Sequence, residues 1–124
     1  MAAIAKNGTP SLASVKPGPN EQIPGLRAGE DIKGGDLCTI KADGLAYKRR
    51  AGETVRGVAF VDAQSGEAVS IYRNVRFGYG SGLTPGADVF ASGTVPGGLD
   101  TVGEAEPVKV GFAVDAQRIQ FTGF

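Results

Sequence analysis

Apolar residues in this chain fall in short runs, each closed by Gly, Asp, Ser or Pro, a punctuation that suits brief strands and tight turns better than helices. "GGDLCTIKADGLAYKRR" predicts a turn at Gly34 and Gly35, a strand over Asp36 to Lys41, a hairpin turn at Asp43 and Gly44, and a return strand over Leu45 to Arg49. "VRGVAFVDAQ" predicts a strand from Val55 to Asp62, followed by a turn at Ser65 and Gly66. In "EAVSIYRNVRFGY" the period of two sets Val69 and Ile71 on one face of a long or bent strand, with Ser70 and Tyr72 on the other. After a proline turn at Pro85 and Gly86, a strand is expected over Ala87 to Ala91, a short one near Leu99, and one or two more in "EPVKVGFAVDAQRIQF". Nothing beyond Leu26 repeats with the 3.6-residue period of a useful amphipathic helix.

One phrase occurs twice. "GVAFVDAQ" begins at Gly57 and "GFAVDAQ" at Gly111. The repetition predicts a pair of structural strands in which Val58, Phe60, Phe112 and Val114 share a core. Gly57 and Gly111 would mark a bulge or close backbone crossings. Asp62 and Asp115 would start the turns that follow each strand.

The first 25 residues differ in kind: Pro10, Pro17, Pro19 and Pro24 fall here, with Gly8, Gly18 and Gly25, and apolar side chains are few. Such a segment holds no helix past Pro10. The reading is an extended N-terminal arm over residues 1–25 and a single β domain over residues 26–124. Ile4, Leu12, Val15 and Ile23 recur along the arm at spacings that would anchor an extended chain on a partner surface; a disordered tail is the competing reading.

Composition narrows the function. At 124 residues and 41% hydrophobic content the chain is sized for one core, and 20 glycines with 7 prolines favour an all-β fold. Thirteen basic residues balance thirteen acidic ones, so no global field attracts a polyanion, and nucleic acid is not the expected partner. "KRR" at Lys48 to Arg50, and Arg73 with Arg76, read as solvated strand faces or polar subunit contacts. There is no histidine and one cysteine, Cys38, which sits among apolar neighbours as a buried, inert thiol. A nucleophile without a base makes an enzyme the weak hypothesis, and neither a metal nor a cofactor is expected. Glu30 with Asp31, and Glu104 with Glu106, read as solvated loop acids, and "GYGSG" at Gly78 to Gly82 as a flexible turn. The N-terminus lacks the apolar core of a secretory signal and no stretch approaches a membrane span, which predicts a cytoplasmic product with no membrane partner.

The succession of "AGEDIKGGDLCTIKADGLAYK", "VRGVAFVDAQSGEAVSIYRNVRF", "GLTPGADVFAS" and "PVKVGFAVDAQRIQF", over about Leu26 to Phe121, resembles the small capsid decoration, or cement, proteins of tailed bacteriophages. The resemblance implies a compact small β-barrel or tulip-like antiparallel domain with an extended N-terminal arm. It implies a structural virion protein on the outer capsid surface, a homotrimer at three-fold and quasi-three-fold positions that clamps the major capsid protein and stabilises the expanded head. The arm residues Ile4, Leu12, Val15 and Ile23 then become the capsid-binding anchors. Tyr72, Phe77, Tyr79 and Phe90 are candidates either for the trimer contacts or for the core. Another virion part, such as a head fibre base or tail accessory protein, and an oligonucleotide-binding β-barrel are the alternatives.

Overall fold

A computed structural model describes residues 3–6, 11–12, 22–102 and 107–122. Twelve strands form among them and no helix: β1 (Ala3–Ile4), β2 (Ser11–Leu12), β3 (Gln22–Arg27), β4 (Leu37–Ile40), β5 (Ala46–Lys48), β6 (Gly57–Ala59), β7 (Ala68–Tyr72), β8 (Val75–Gly78), β9 (Asp88–Ala91), β10 (Leu99–Asp100), β11 (Lys109–Ala113) and β12 (Arg118–Phe121). The local turn chemistry accounts for several of these joints. Between β4 and β5, Gly44 takes φ +82° and the Leu45 amide donates to Asp43 Oδ1 at 3.0 Å, which sets the hairpin with Thr39 opposite Tyr47.

The strands divide between two antiparallel sheets and do not close into one barrel, which corrects the first of the two architectures implied by the resemblance. A seven-stranded sheet runs β1-β10-β9-β11-β12-β8-β2, and a five-stranded sheet runs β3-β7-β6-β4-β5. The physical reason is that the smaller sheet is apolar on both faces. Leu37, Val58 and Tyr72 face one way, into a core shared with Phe77, Val89, Leu99, Val110, Ile119 and Phe121 of the larger sheet. Their chain neighbours Cys38, Ala59 and Ile71 face the other way, into a second core with Ala28, Ile32, Ala46, Ala63 and Val69. Alternation along each strand therefore serves two cores at once, and a strand with two buried faces must lie between layers.

Alanine supplies four of the eight buried residues of the second core, which suits a tightly curled sheet with little interior room. Its two edge strands meet at one parallel bridge, Ala28 with Ala46, where the Gly29 amide donates to the Ala46 carbonyl at 2.8 Å. A single bridge falls short of the continuous ladder that would close the sheet.

The larger sheet is curled as well. β1 and β2 occupy its opposite edges, yet Ile4 and Ser11 are seven residues apart and an extended chain of that length reaches about 25 Å. Six flat inter-strand spacings would need about 29 Å. Curling is confirmed at the backbone, because a Cβ on Gly80, just past β8, would lie 2.8 Å from the carbonyl oxygen of Ala5, just past β1.

The duplicated phrases do not pair with each other. Gly57 opens β6 in the smaller sheet and Gly111 lies in β11 of the larger. Both glycines do mark close backbone crossings: a Cβ would come within 2.9 Å of the Tyr72 carbonyl oxygen at Gly57, and within 2.0 Å of the Gln120 carbonyl oxygen at Gly111. Val58 and Phe60 join the shared core, but Phe112 is 38% exposed. A bulge between Lys109 and Gly111 explains the difference, since one extra residue against β9 reverses which side chains face inward. Asp115 caps its turn as expected, accepting from the Gln117 and Arg118 amides, whereas Asp62 reaches across to the Gly34 amide of another loop.

Candidate functional site

Among its described residues, the N-terminal segment meets the domain at three places, each a sheet edge. β1 pairs with β10, Ala3 opposite Asp100 and Ile4 opposite Leu99; β2 pairs with β8, Leu12 opposite Phe77; β3 pairs with β7, Ile23 opposite Ile71. β3 thus spans the boundary expected between arm and domain. Ile4 packs, partly buried, against the shared core and Ile23 against the alanine-rich one. Leu12 lies in β2 and Val15 falls outside the described residues. Ile4 and Ile23 thus pack against different cores.

Lys6 completes the attachment of β1. Its Nζ is ion-paired with Asp36 Oδ1 and stands 6.0 Å from the centre of the Tyr79 ring. The Asp36 side chain is only 5% exposed; Oδ2 accepts the Lys33 amide at 2.9 Å, and Gly97 packs over it so closely that a Cβ there would lie 3.0 Å from Asp36 Cβ. A buried carboxylate without a countercharge is costly, so Lys6 is the charged partner that this site needs. Beside the segment lies a cleft of about 510 Å³ whose lining includes Ile4, Lys6, Leu83, Thr84, Asp88 and Val89. The sequence marks Asp36 only as a strand start and Gly80 only as part of a turn, and nothing in it singles out Lys6. The Lys6–Asp36 pair is separated by 30 residues and bridges the two sheets, since Lys6 follows β1 of the larger and Asp36 precedes β4 of the smaller.

The outer face of the larger sheet is the second candidate. Asp88, Phe112, Gln120 and Arg76 stand in register across β9, β11, β12 and β8. Phe112 is the exposed aromatic of this row, with half-buried Phe90 two positions from Asp88 along β9. The nearby charges are engaged: Lys109 Nζ lies 3.2 Å from Asp88, Arg118 Nε donates to Asp115 at 2.7 Å, and Arg76 Nε donates to Gln120 Oε1 at 3.1 Å. The Gln117 amide, then Arg118, hold the Asp115 carboxyl below the usual carboxylate range.

Of the four aromatics weighed as trimer contacts or core, Phe77 and Tyr79 are fully enclosed in the chain's own core, and Tyr72 is 8% exposed. Phe77 and Tyr79 each meet Phe121 edge to face, at 5.7 and 6.3 Å between centroids. Phe90 is the one that reaches the surface.

The polar groups considered for catalysis have structural partners. Glu30 takes a two-pronged hydrogen bond from Arg50, 2.9 Å on each oxygen, which holds its carboxyl below the usual range, and Asp31 accepts the Ser65 amide at 2.9 Å. Glu104 and Glu106 lie outside the described residues. In "KRR", Arg49 is no solvated side chain: it is buried, with Nε donating to the Glu53 carbonyl at 2.8 Å. "GYGSG" is held by its buried Tyr79 and by the contact of Gly80 with Ala5. Burial pushes the Cys38 thiol up to about 12, aided by the charge of Asp36, so it stays protonated near neutrality. Among the described residues, no three or more Cys, Asp or Glu side chains group to hold a metal, and no helix is long and apolar enough to cross a membrane.

Comparison with protein-family models and with curated proteins finds no match.

Proposed function

We propose that the protein is a structural virion component that binds the outer surface of a tailed-phage capsid as a homotrimer at three-fold and quasi-three-fold sites and stabilises the expanded head by clamping neighbouring major capsid subunits. In this reading the two curled sheets form the compact, tulip-like body and residues 1–25 the clamp. The ordered phrases from Leu26 to Phe121 support it by their resemblance to decoration proteins.

The observation that carries the reading is how the N-terminal segment makes its contacts: β1, β2 and β3 each attach by main-chain pairing at a sheet edge. A segment that adds strands to its own domain carries the same main-chain chemistry for the exposed edge of a capsid subunit, with apolar side chains filling alternate pockets. Ordering a free segment costs about 1–2 kcal/mol per residue in backbone entropy. Its prolines lower that cost by restricting the free chain in advance. Three segments on one trimer raise the effective concentration once the first has docked.

Co-sedimentation with expanded and unexpanded shells, using the full chain and one lacking Ala2 to Pro24, tests this. Saturable binding to expanded shells that is lost or much weakened without the segment supports it; binding to neither shell refutes it. A second reading, an oligonucleotide-binding domain, draws on Phe112 and Phe90 beside Arg76, Lys109 and Arg118 on one sheet face. A mobility shift of single-stranded DNA at low salt, lost in Phe112→Ala, would favour that reading.

A further inference from the structure

The groove filled by Ala3–Lys6 has the parts of a strand-binding slot with a lock. Its floor is the outer edge of β10, where, among the described residues, Leu99 and Asp100 pair with Ile4 and Ala3. Its apolar end takes Ile4 against the shared core. Its wall is Gly80, whose missing side chain leaves room for the Ala5 carbonyl; a Cβ would stand 2.8 Å from that oxygen. Its polar end is the Asp36 carboxylate, 5% exposed and met by Lys6 beneath the Tyr79 ring. Two residues of pairing make a weak strand, so the hold on the segment is concentrated in Ile4 and in the Lys6–Asp36 pair.

We infer that Ala3–Lys6 is a detachable strap, locked onto its own domain by the Lys6–Asp36 ion pair and by the clearance at Gly80, and that weakening either contact releases it while the two cores stay folded. Release exposes a slot matched to an extended segment with a branched apolar residue two positions before a cation. The inference stands on the fold of one chain and not on the capsid reading. Combined with that reading, the lock sets how readily the segment leaves its own domain for a shell.

Limited trypsin digestion of the full chain reads the strap directly. Lys6 precedes Asn7 and is open to cleavage, Lys16 is protected by Pro17, and the next basic residue, Arg27, ends β3. Cleavage after Lys6 requires the strap to leave its slot, and with fast opening the rate follows the open population. Asp36→Asn keeps the side-chain shape and an acceptor for the Lys33 amide but removes the charge. It is expected to speed the cut after Lys6 about tenfold or more, the size of losing a hydrogen bond to a charged group. Gly80→Ala, which leaves the ion pair untouched, is expected to speed the same cut, and in both variants cleavage after Arg27 stays at the wild-type rate. A folded variant of either kind that is cut after Lys6 at the wild-type rate overturns the inference. So does wild-type protein cut there as fast as a free peptide of residues 1–16. Should Asp36→Asn fail to fold, the Gly80→Ala rate decides.

Discussion

Gly111→Ala is predicted to be among the most damaging single-methyl additions to this fold. Gly111 stands opposite Phe121 in the β11–β12 ladder, and a Cβ there would lie 2.0 Å from the Gln120 carbonyl oxygen and 3.0 Å from Phe121 Cα. A relaxed carbon-to-oxygen contact is about 3.3 Å or longer, so the strands must part by more than about 1 Å. β12 has nowhere to go: Ile119 and Phe121 are fully buried on its inner face, and its other edge is paired with β8 over four residues. Overpacking costs about 1–3 kcal/mol, and stretching two ladder hydrogen bonds adds about 0.5–1.5 kcal/mol each, for a total of about 2–6 kcal/mol. That is a large share of the 5–15 kcal/mol typical of a whole domain. Urea unfolding followed by far-ultraviolet circular dichroism measures it, with near-ultraviolet tyrosine signal as the tertiary probe because the chain has no tryptophan. Gly57→Ala, the matching position of the duplicated phrase, faces a milder conflict of 2.9 Å with the Tyr72 carbonyl oxygen and should cost about 1–2 kcal/mol. A Gly111→Ala protein within about 0.5 kcal/mol of wild type, or one more stable than Gly57→Ala, would refute the argument.

Two further outcomes follow from the packing and the charges. Phe77→Ala should destabilise the chain by about 3–5 kcal/mol, because Phe77 is fully buried against Phe121, while Phe90→Ala should cost less than about half as much; equal losses in chemical denaturation would contradict the placement of Phe77 in the core. Arg50 lowers the Glu30 carboxyl from its ordinary value of 4.5, so the folded chain gains stability from Glu30 that is complete above that value and is lost as the pH falls through the lowered one. Glu30→Gln should therefore be less stable than wild type at neutral pH and lose less on acidification, and parallel stability curves for the two proteins from neutral pH down to below 4.5 would count against the pair.

Much of the strand order was legible because turn residues act locally. Asp43 and Gly44 dictate the β4–β5 hairpin by a side-chain hydrogen bond and a left-handed glycine, both encoded within four residues. The alternation of Val69, Ser70, Ile71 and Tyr72 was legible too, but not that Tyr72 faces the core shared with the larger sheet while Val69 and Ile71 face the second one; period two separates faces without saying what covers them. Phe112 was misplaced by the bulge at Lys109 to Gly111, a one-residue event that leaves no trace in hydrophobicity. The duplicated phrases looked like partners because their composition matches, yet composition does not select between sheets. At the candidate site, Ile4 could be singled out as an apolar side chain in a polar segment. Lys6 and Asp36 could not be joined, since Lys6 follows β1 of the larger sheet, Asp36 precedes β4 of the smaller, and their meeting across 30 residues of chain depends on how the two sheets pack.

The most direct test of the capsid reading is cryo-electron microscopy of expanded phage shells saturated with the full chain. The account predicts three-lobed density at the three-fold and quasi-three-fold positions of the outer surface, with residues 1–25 running from each lobe onto neighbouring capsid subunits. Shells without added density, or density from which the N-terminal segment never touches the capsid, would contradict it.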